Sequence, residues 1–548
     1  MSVRVLVFLF LITASVSAWS NEPDSYIRDF QIPPGEEIGP DVLLAESGLP
    51  TSPPADPQVG DSWVWWLWTW YPMPPHFEQH VCTVRGMSSH GYVVVKDSEW
   101  LVSIDQNDVD AILEHWENSS IGPYPNQGIY EIDSLSFGTP PDELDDDPRI
   151  YLMWYDFEVA ADGFFFYFDE YPEGTFPEYH SNECEVLYLN TQSTGGPSGS
   201  YMHGVIAHEF EHLIHWKQDE NETSWVDEGM AELAMYFFGH PDNISSFNAN
   251  PDNNLTVWDG AWADYIQTYL WSLYFFERYG GHDAVYSLVQ EQANSMAGYD
   301  AVLDYYGYTE NTEDMFADWA VANFLDDTSI EDGRYGYTGE DLPPFSTSGV
   351  FSSYPVEEER TVNNWAADYY KLQNFPFQEL EITFDGSDDN TFAVRAIVQR
   401  SAQPCEVIEV PLDEPTQTGV TTVGDLNQPE DHVILVVASV SSTGGDQYQF
   451  SAGEAMGVSG EEEGSQGSSF LRPEINPFRD SVSFQLGGSV EPGHEVLIYD
   501  INGRQAAQLL ADEHGEAVWD AGSNGPGVYF AMIQNGTETV CTRILKLP

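Results

Sequence analysis

The chain has 548 residues, 42% hydrophobic and 14% aromatic, enough to bury packed cores in two to four domains and at odds with a disordered polymer. Its 17 basic and 91 acidic residues leave a net charge of −74, a field that repels nucleic acid and anionic membrane surfaces and argues against both as partners. Such acidity reads first as a solvated surface suited to high salt and second as clustered carboxylates for structural Ca2+.

Residues 1–18 read as a secretory signal: MSVR, the apolar run VLVFLFLITASVS, then small residues ending at Ala18. That run is 13 residues long, shorter than the ~20 that span a bilayer, and no later segment is longer and apolar. The sequence therefore predicts a secreted or cell-surface protein with no stable membrane insertion. Residues 19–59, rich in Pro, Glu, Asp and Gly, read as a flexible leader or pro-segment. WVWWLWTWY (Trp63 to Tyr71) opens a run of strands with HVCTVRG and GYVVVKD; its tryptophans suit a core better than a carbohydrate platform. Asn107 to Asn118 has helical apolar spacing. DELDDD (Asp142 to Asp147) is acidic enough for calcium but lacks the EF-hand ligand pattern, and reads as a solvated turn. RIYLMWYDF, GFFFYFDEY and EVLYLN read as strands of one sheet. Four cysteines fit an oxidising compartment, and Cys82 with Cys184 is the pair to test first for a disulfide.

The helical segment YMHGVIAHEFEHLIHW carries the chemistry. His208 and His212, four apart, share one helix face where both imidazoles can meet one ion, and Glu209 stands beside that ion as a general base. The ion suited to this HExxH arrangement is Zn2+. His215 lies on roughly the same face, but seven residues at ~1.5 Å rise put it ~10 Å from His208, too far to share the ion. It and His203 read as packing or supporting groups. The third ligand is then a carboxylate on the next helix, predicted from Val226 to Phe238.

There WVDEGMAE resembles the second motif of gluzincins, the thermolysin-like metallopeptidases. The resemblance implies Glu228 as the third metal ligand and Glu232, four residues on, as the group that orients His208, with Glu232 as ligand the open alternative. Asp227 departs from the Asn that many gluzincins carry there. Across about 110 residues, ADGFFFYFDEYP, HSNECEVLYLN, HEFEHLIH and WVDEGMAE look like the core of hyicolysin-type secreted bacterial metallopeptidases. That likeness implies an α+β zincin fold over residues 60–335: a mixed sheet above an active-site helix, its edge strand binding extended peptide. Tyr265, in WADYIQTY, resembles the family tyrosine that stabilises the carbonyl oxygen. Its helix is predicted from Trp262 to Gly281.

Two all-β sandwich-like domains are expected to follow. LEITFDG, FAVRAIVQ and DHVILVVASVS give one over 340–455; residues 456–469 form a Gly/Ser/Glu linker. IYDINGR, GVYF and RILKLP in 470–548 resemble the sorting domain of type IX secretion cargo, which implies secretion machinery as a partner. The leading expectation is a secreted zinc endopeptidase acting on protein or peptide. The alternatives are an adhesin or binding protein on a catalytically degenerate zincin scaffold, and a zinc hydrolase of another amide.

Overall fold

The computed structural model describes residues 38–44, 48–142, 144–145, 147–401, 403–442 and 446–455. In the C-terminal part it describes 470–473, 478–479, 481–487, 494–500, 504–512, 515–522, 524–535 and 538–546. The expected signal segment, most of the leader and the 456–469 linker lie outside the described residues. These divide into two compact units, one running to Gly453 and one made essentially of the residues after it.

The first unit starts with a sheet whose strands are buried on both faces. Its strands are β1 (Ser62–Thr69), β2 (His76–Met87), β3 (Gly91–Lys96), β4 (Ile150–Tyr155), β5 (Gly163–Phe165) and β6 (Val186–Asn190), in the order β1-β2-β3-β4-β6-β5. β3, β4 and β6 run parallel; β5 is an antiparallel edge strand beside β6. The pleat sends alternate residues to opposite sides. Ile150, Leu152 and Trp154 of β4 face the helices, while Tyr151, Met153 and Tyr155 join an aromatic cluster with Trp63, Trp65, Trp68 and Trp70. Those tryptophans are core, as the aromatic run predicts. GFFFYFDEY is only partly strand: β5 stops at Phe165 and a 3-10 turn follows over Tyr167–Glu170.

Helix α1 (Gln106–Glu117) is capped at Asp105 by a reciprocal capping box with Asp108. The short α2 (Ile129–Ser136), unmarked by strong periodicity, completes the crossover to β4. Next come α3 (Ser200–Gln218), α4 (Ser224–Phe238), α5 (Ser245–Ala249), α6 (Trp262–Arg278), α7 (His282–Val289), α8 (Met296–Tyr306) and α9 (Thr312–Leu325). Among the described residues no helix is long and apolar enough to cross a membrane.

At three points the structure departs from expectation. The leader is not free over its described end: Gly39 and Val42 donate backbone hydrogen bonds to Pro75 and Phe77, and Val64 donates to Pro50. These bonds tie the segment to the residue before β2, to Phe77 of β2 and to Val64 of β1. Nor is the 340–455 region a separate domain. Its strands form two five-stranded sheets, packed face to face through Tyr370 and Phe450. One of these sheets shares the helices' hydrophobic core through Trp365, Tyr369, Ile397 and Val436. Tyr369 stacks on Phe324, and its hydroxyl donates to the Ala320 carbonyl of α9 at 2.8 Å. The anticipated Cys82–Cys184 disulfide is also absent: both are buried free thiols in the same aromatic core.

The second unit consists of a three-stranded and a four-stranded antiparallel sheet around Phe484, Ile498, Trp519 and Ile533. Its strands include the expected Ser481–Gly487, Glu495–Asp500 and Gly527–Asn535.

Because the helices and the 340–455 sheets share a core, truncating Tyr369 should weaken both together. Tyr369→Ala is expected to destabilise the first unit by about 3–5 kcal/mol, the range for large aromatic truncations. Calorimetry should show one lowered transition for that unit; early melting of the sheets alone would contradict the shared core.

Candidate metal centre

α3 is buried along Met202–His215, so it is a core helix rather than an amphipathic one. Yet it carries His203, His208, Glu209, Glu211, His212 and His215, each at most 5% exposed. Six ionisable side chains inside a core are unfavourable unless they are paired or hold a metal. The turn Asp219–Thr223 returns the chain as α4, packed across α3. Gly229 lets α6 approach α4: a Cβ there would lie 2.5 Å from the Ser272 hydroxyl and 3.1 Å from the Thr268 carbonyl.

This crossing brings two glutamates to opposite sides of one imidazole. Glu228 Oε2 lies 3.6 Å from His208 Nε2, and Glu232 Oε1 lies 3.4 Å from His208 Nδ1. The rings of His208 and His212 are 4.7 Å apart at 83°. One donor atom from each of His208, His212 and Glu228 falls within 4.8 Å of the others. Ligands ~2.0–2.1 Å from a tetrahedral ion stand about 3.3–3.5 Å apart, so 3.6 Å is close to a coordination edge and long for a direct hydrogen bond. Two imidazoles and a carboxylate, all buried, fit Zn2+. Glu232 faces the other ring nitrogen, the place for an acceptor that fixes the His208 tautomer.

The structure adds two acids with no role assigned from the sequence, Asp227 and Glu211. Asp227 Oδ1 is 3.1 Å from His212 Nδ1 and 3.3 Å from His215 Nδ1. Glu211, fully buried rather than solvated, meets His215 Nδ1 at 3.2 Å. Burial alone would lower the His215 imidazole, but the charge and hydrogen bond of Glu211, with the charge of Asp227, push it up to about 9. His215 is thus a cation among carboxylates and not a ligand. Glu211, His212 and Asp227 also form a tight group. The 3.1 Å contact to His212 Nδ1 puts Asp227 in the place for an acid that orients His212. The one sequence signal was Asp227 itself, an acid in the position where Asn was expected.

Glu209 is fully buried beneath the sheet's edge. A Cβ on Gly163, the first residue of β5, would sit 2.7 Å from Glu209 Oε1 and 2.9 Å from Val205 Cγ1. Only glycine lets the edge strand pass this close to the carboxylate. Beyond the histidines, Trp216 continues the His208–His212 stripe by one turn. Its ring meets Phe165 of β5 at 6.2 Å and Tyr171 at 6.0 Å.

Tyr265 sits in the first turn of α6, 2% exposed, with its ring against Trp258 at 4.6 Å and Trp262 at 5.8 Å. It shares a helical stripe with Thr268 and Ser272, the residues that meet Gly229. The structure therefore gathers His208, Glu209, His212, Glu228 and Glu232 directly, and puts Tyr265 on the α6 face turned to α4.

No known protein family matches the chain, and no curated protein does. Solved structures give slight likenesses. One is the BSP domain of a biofilm-associated protein (TM-score 0.14, 10% identity, covering 36% of this chain and 52% of that one). Another is a β-1,2-glucanase from Parabacteroides distasonis (0.15, 8%, 33% and 30%). A third is a β-glucuronidase from Ruminococcus gnavus (0.14, 10%, 33% and 35%). The chain spans about half or less of each of these. At such TM-scores the likenesses carry no weight for fold or activity.

The two glutamates should separate in a zinc-affinity measurement by chelator competition. Glu232→Ala is expected to weaken zinc binding by ~10–100-fold, the usual effect of losing a histidine-orienting carboxylate. Glu228→Ala should weaken it by more than that. The reverse ranking would make Glu232 the ligand.

Proposed function

We propose that the chain is a secreted zinc-dependent endopeptidase with a zincin-type catalytic region. The observation that supports this reading is the His208–His212–Glu228 donor set, with the buried Glu209 of the same helix packed against Gly163 of the edge strand β5. Zinc, when bound, supplies Lewis acidity: it makes a water acidic near neutral pH and polarises a carbonyl oxygen.

The chain's own residues divide the remaining work. The outer edge of β5 presents unpaired backbone groups that can take an extended peptide as an added antiparallel strand, laying it over Glu209. Glu209 accepts the proton of the attacking water and passes it to the departing amine nitrogen, so one carboxylate serves as base and then acid. Its burial strengthens its interaction with the reacting atoms. Glu232 and Asp227 hold the two imidazoles in fixed tautomers. Tyr265 is the proposed donor to the carbonyl oxygen as negative charge develops there. The residues after 470 serve export in this reading, as a sorting module, and take no part in hydrolysis.

Metal analysis combined with casein hydrolysis tests this. Glu209→Ala should keep zinc and lose activity by at least ~10²–10⁴-fold, the range for a missing general base. Gly163→Val should also keep zinc and lose activity, by displacing Glu209 and the edge strand. Full activity in the Glu209 variant would exclude the mechanism, and a wild type inert on varied peptides would favour a binding protein. Removing residues 470–548 should leave hydrolysis intact while the native host retains the protein inside the cell; undiminished export would remove the sorting role.

A further inference from the structure

Helix α3 and the edge strand β5 run side by side, and their contacts set a register. Just before β5, Asp162 Oδ2 accepts from the Tyr201 hydroxyl of α3 at 2.7 Å. One residue on, a Cβ at Gly163 would lie 2.9 Å from Val205 Cγ1 and 2.7 Å from Glu209 Oε1. Two residues further, the Phe165 ring meets the Trp216 ring at 6.2 Å. The strand thus advances in the same sense as the helix, from Tyr201 past Glu209 to Trp216. Pleating keeps Gly163 and Phe165 on the side of the helices, while Phe164 joins the aromatic core across the sheet. β5 ends the sheet, so its outer side is paired with no strand among the described residues.

Trp216 stands four residues after His212, which is ~6 Å along the helix axis. A step of two residues along a strand covers ~6.8 Å, so β5 reaches Phe165 where the helix reaches Trp216. The Trp216 ring also meets Tyr171 at 6.0 Å and 76°. All three aromatic side chains are half-buried. They form a partly open apolar surface one helical turn beyond His212. Two acids stand at its rim: burial and then the charge of Glu220 push the Tyr171 hydroxyl up, with Glu170 adding to them.

We infer that Trp216, with Phe165 and Tyr171, selects a bulky apolar or aromatic side chain in the substrate, on the N-terminal side of the bond that is cut. The inference rests on the endopeptidase reading and adds which part of the peptide is recognised. A peptide added antiparallel to β5 runs against it, so the step from Gly163 to Phe165 takes the substrate two residues towards its own N-terminus. The substrate residue opposite Gly163 lies over Glu209, next to the bond to be cut. The residue opposite Phe165 is then the second or third before that bond. Directly opposed residues of an antiparallel pair share a face, so its side chain projects beside the Phe165 ring and against Trp216. An aromatic ring there packs on three others, whereas an acid meets Glu220 and Glu170 and is repelled.

The test exposes a peptide mixture to the full zinc-loaded chain and reads the cut sites by mass spectrometry, which needs no variant. Then kcat/KM is measured on two peptides that differ only by Phe or Ala at the preferred position. Wild type should enrich Phe, Tyr, Trp or Leu at the second or third residue before the cut, and should favour the Phe peptide by ~10–100-fold. Trp216→Ala should keep its zinc and lower that ratio by ~5–10-fold, and Trp216→Phe should restore most of it. Cutting with no enrichment before the bond, or with enrichment only after it, overturns the subsite and leaves the endopeptidase reading in place. An unchanged ratio in a folded Trp216→Ala does the same. Zinc-loaded wild type that cuts no peptide in the mixture overturns the endopeptidase reading, and the subsite with it.

Discussion

Everything at the centre depends on one imidazole held between two carboxylates. His208 is fully buried with Glu228 opposite one ring nitrogen and Glu232 opposite the other. In water such contacts are weak; inside a core, a histidine and two acids without a compensating ion or hydrogen bond would oppose folding. The crossing of α3 and α4 is therefore constrained from both sides. It brings Glu228 and Glu232 of α4 to His208, and it needs a site that offsets burying them. In the proposed reading, zinc held by His208, His212 and Glu228 would meet that requirement, with Glu209 as the group that takes the proton.

The same constraint explains what surrounds the centre. Behind His212, His215 lies against both Glu211 and Asp227, so Asp227 touches His212 and His215 at once. At the sheet, Gly163 brings the edge strand onto Glu209 at a distance no side chain would allow. In a chain of net charge −74, bases are scarce, and Arg149 is paired with Asp147.

The sequence revealed elements whose periodicity survives folding. The helices at α1, α4 and α6, the strands β4 and β6, and the i, i+4 pairing of His208 with His212 lie where spacing put them. Helical spacing also separates Glu228 from Glu232, although which ring nitrogen each faces is set by the α3–α4 crossing angle, a tertiary property. Asp227 and Glu211 were hidden for the same reason: an acid in a polar stretch looks solvated until its partner helix arrives. The brevity of β5 was unreadable because aromatic residues continue past Phe165 into a 3-10 turn. The fusion of the 340–455 sheets with the helical core was masked by a composition shift that resembles a domain boundary but is only a change of secondary structure.

Anomalous scattering from zinc-soaked crystals, recorded on both sides of the zinc edge, tests the centre most directly. The predicted result is one strong peak per chain about 2 Å from His208 Nε2, His212 and a Glu228 oxygen, with Glu232 outside the coordination shell. A peak among Glu211, His212 and Asp227 instead, or none near His208, would contradict it.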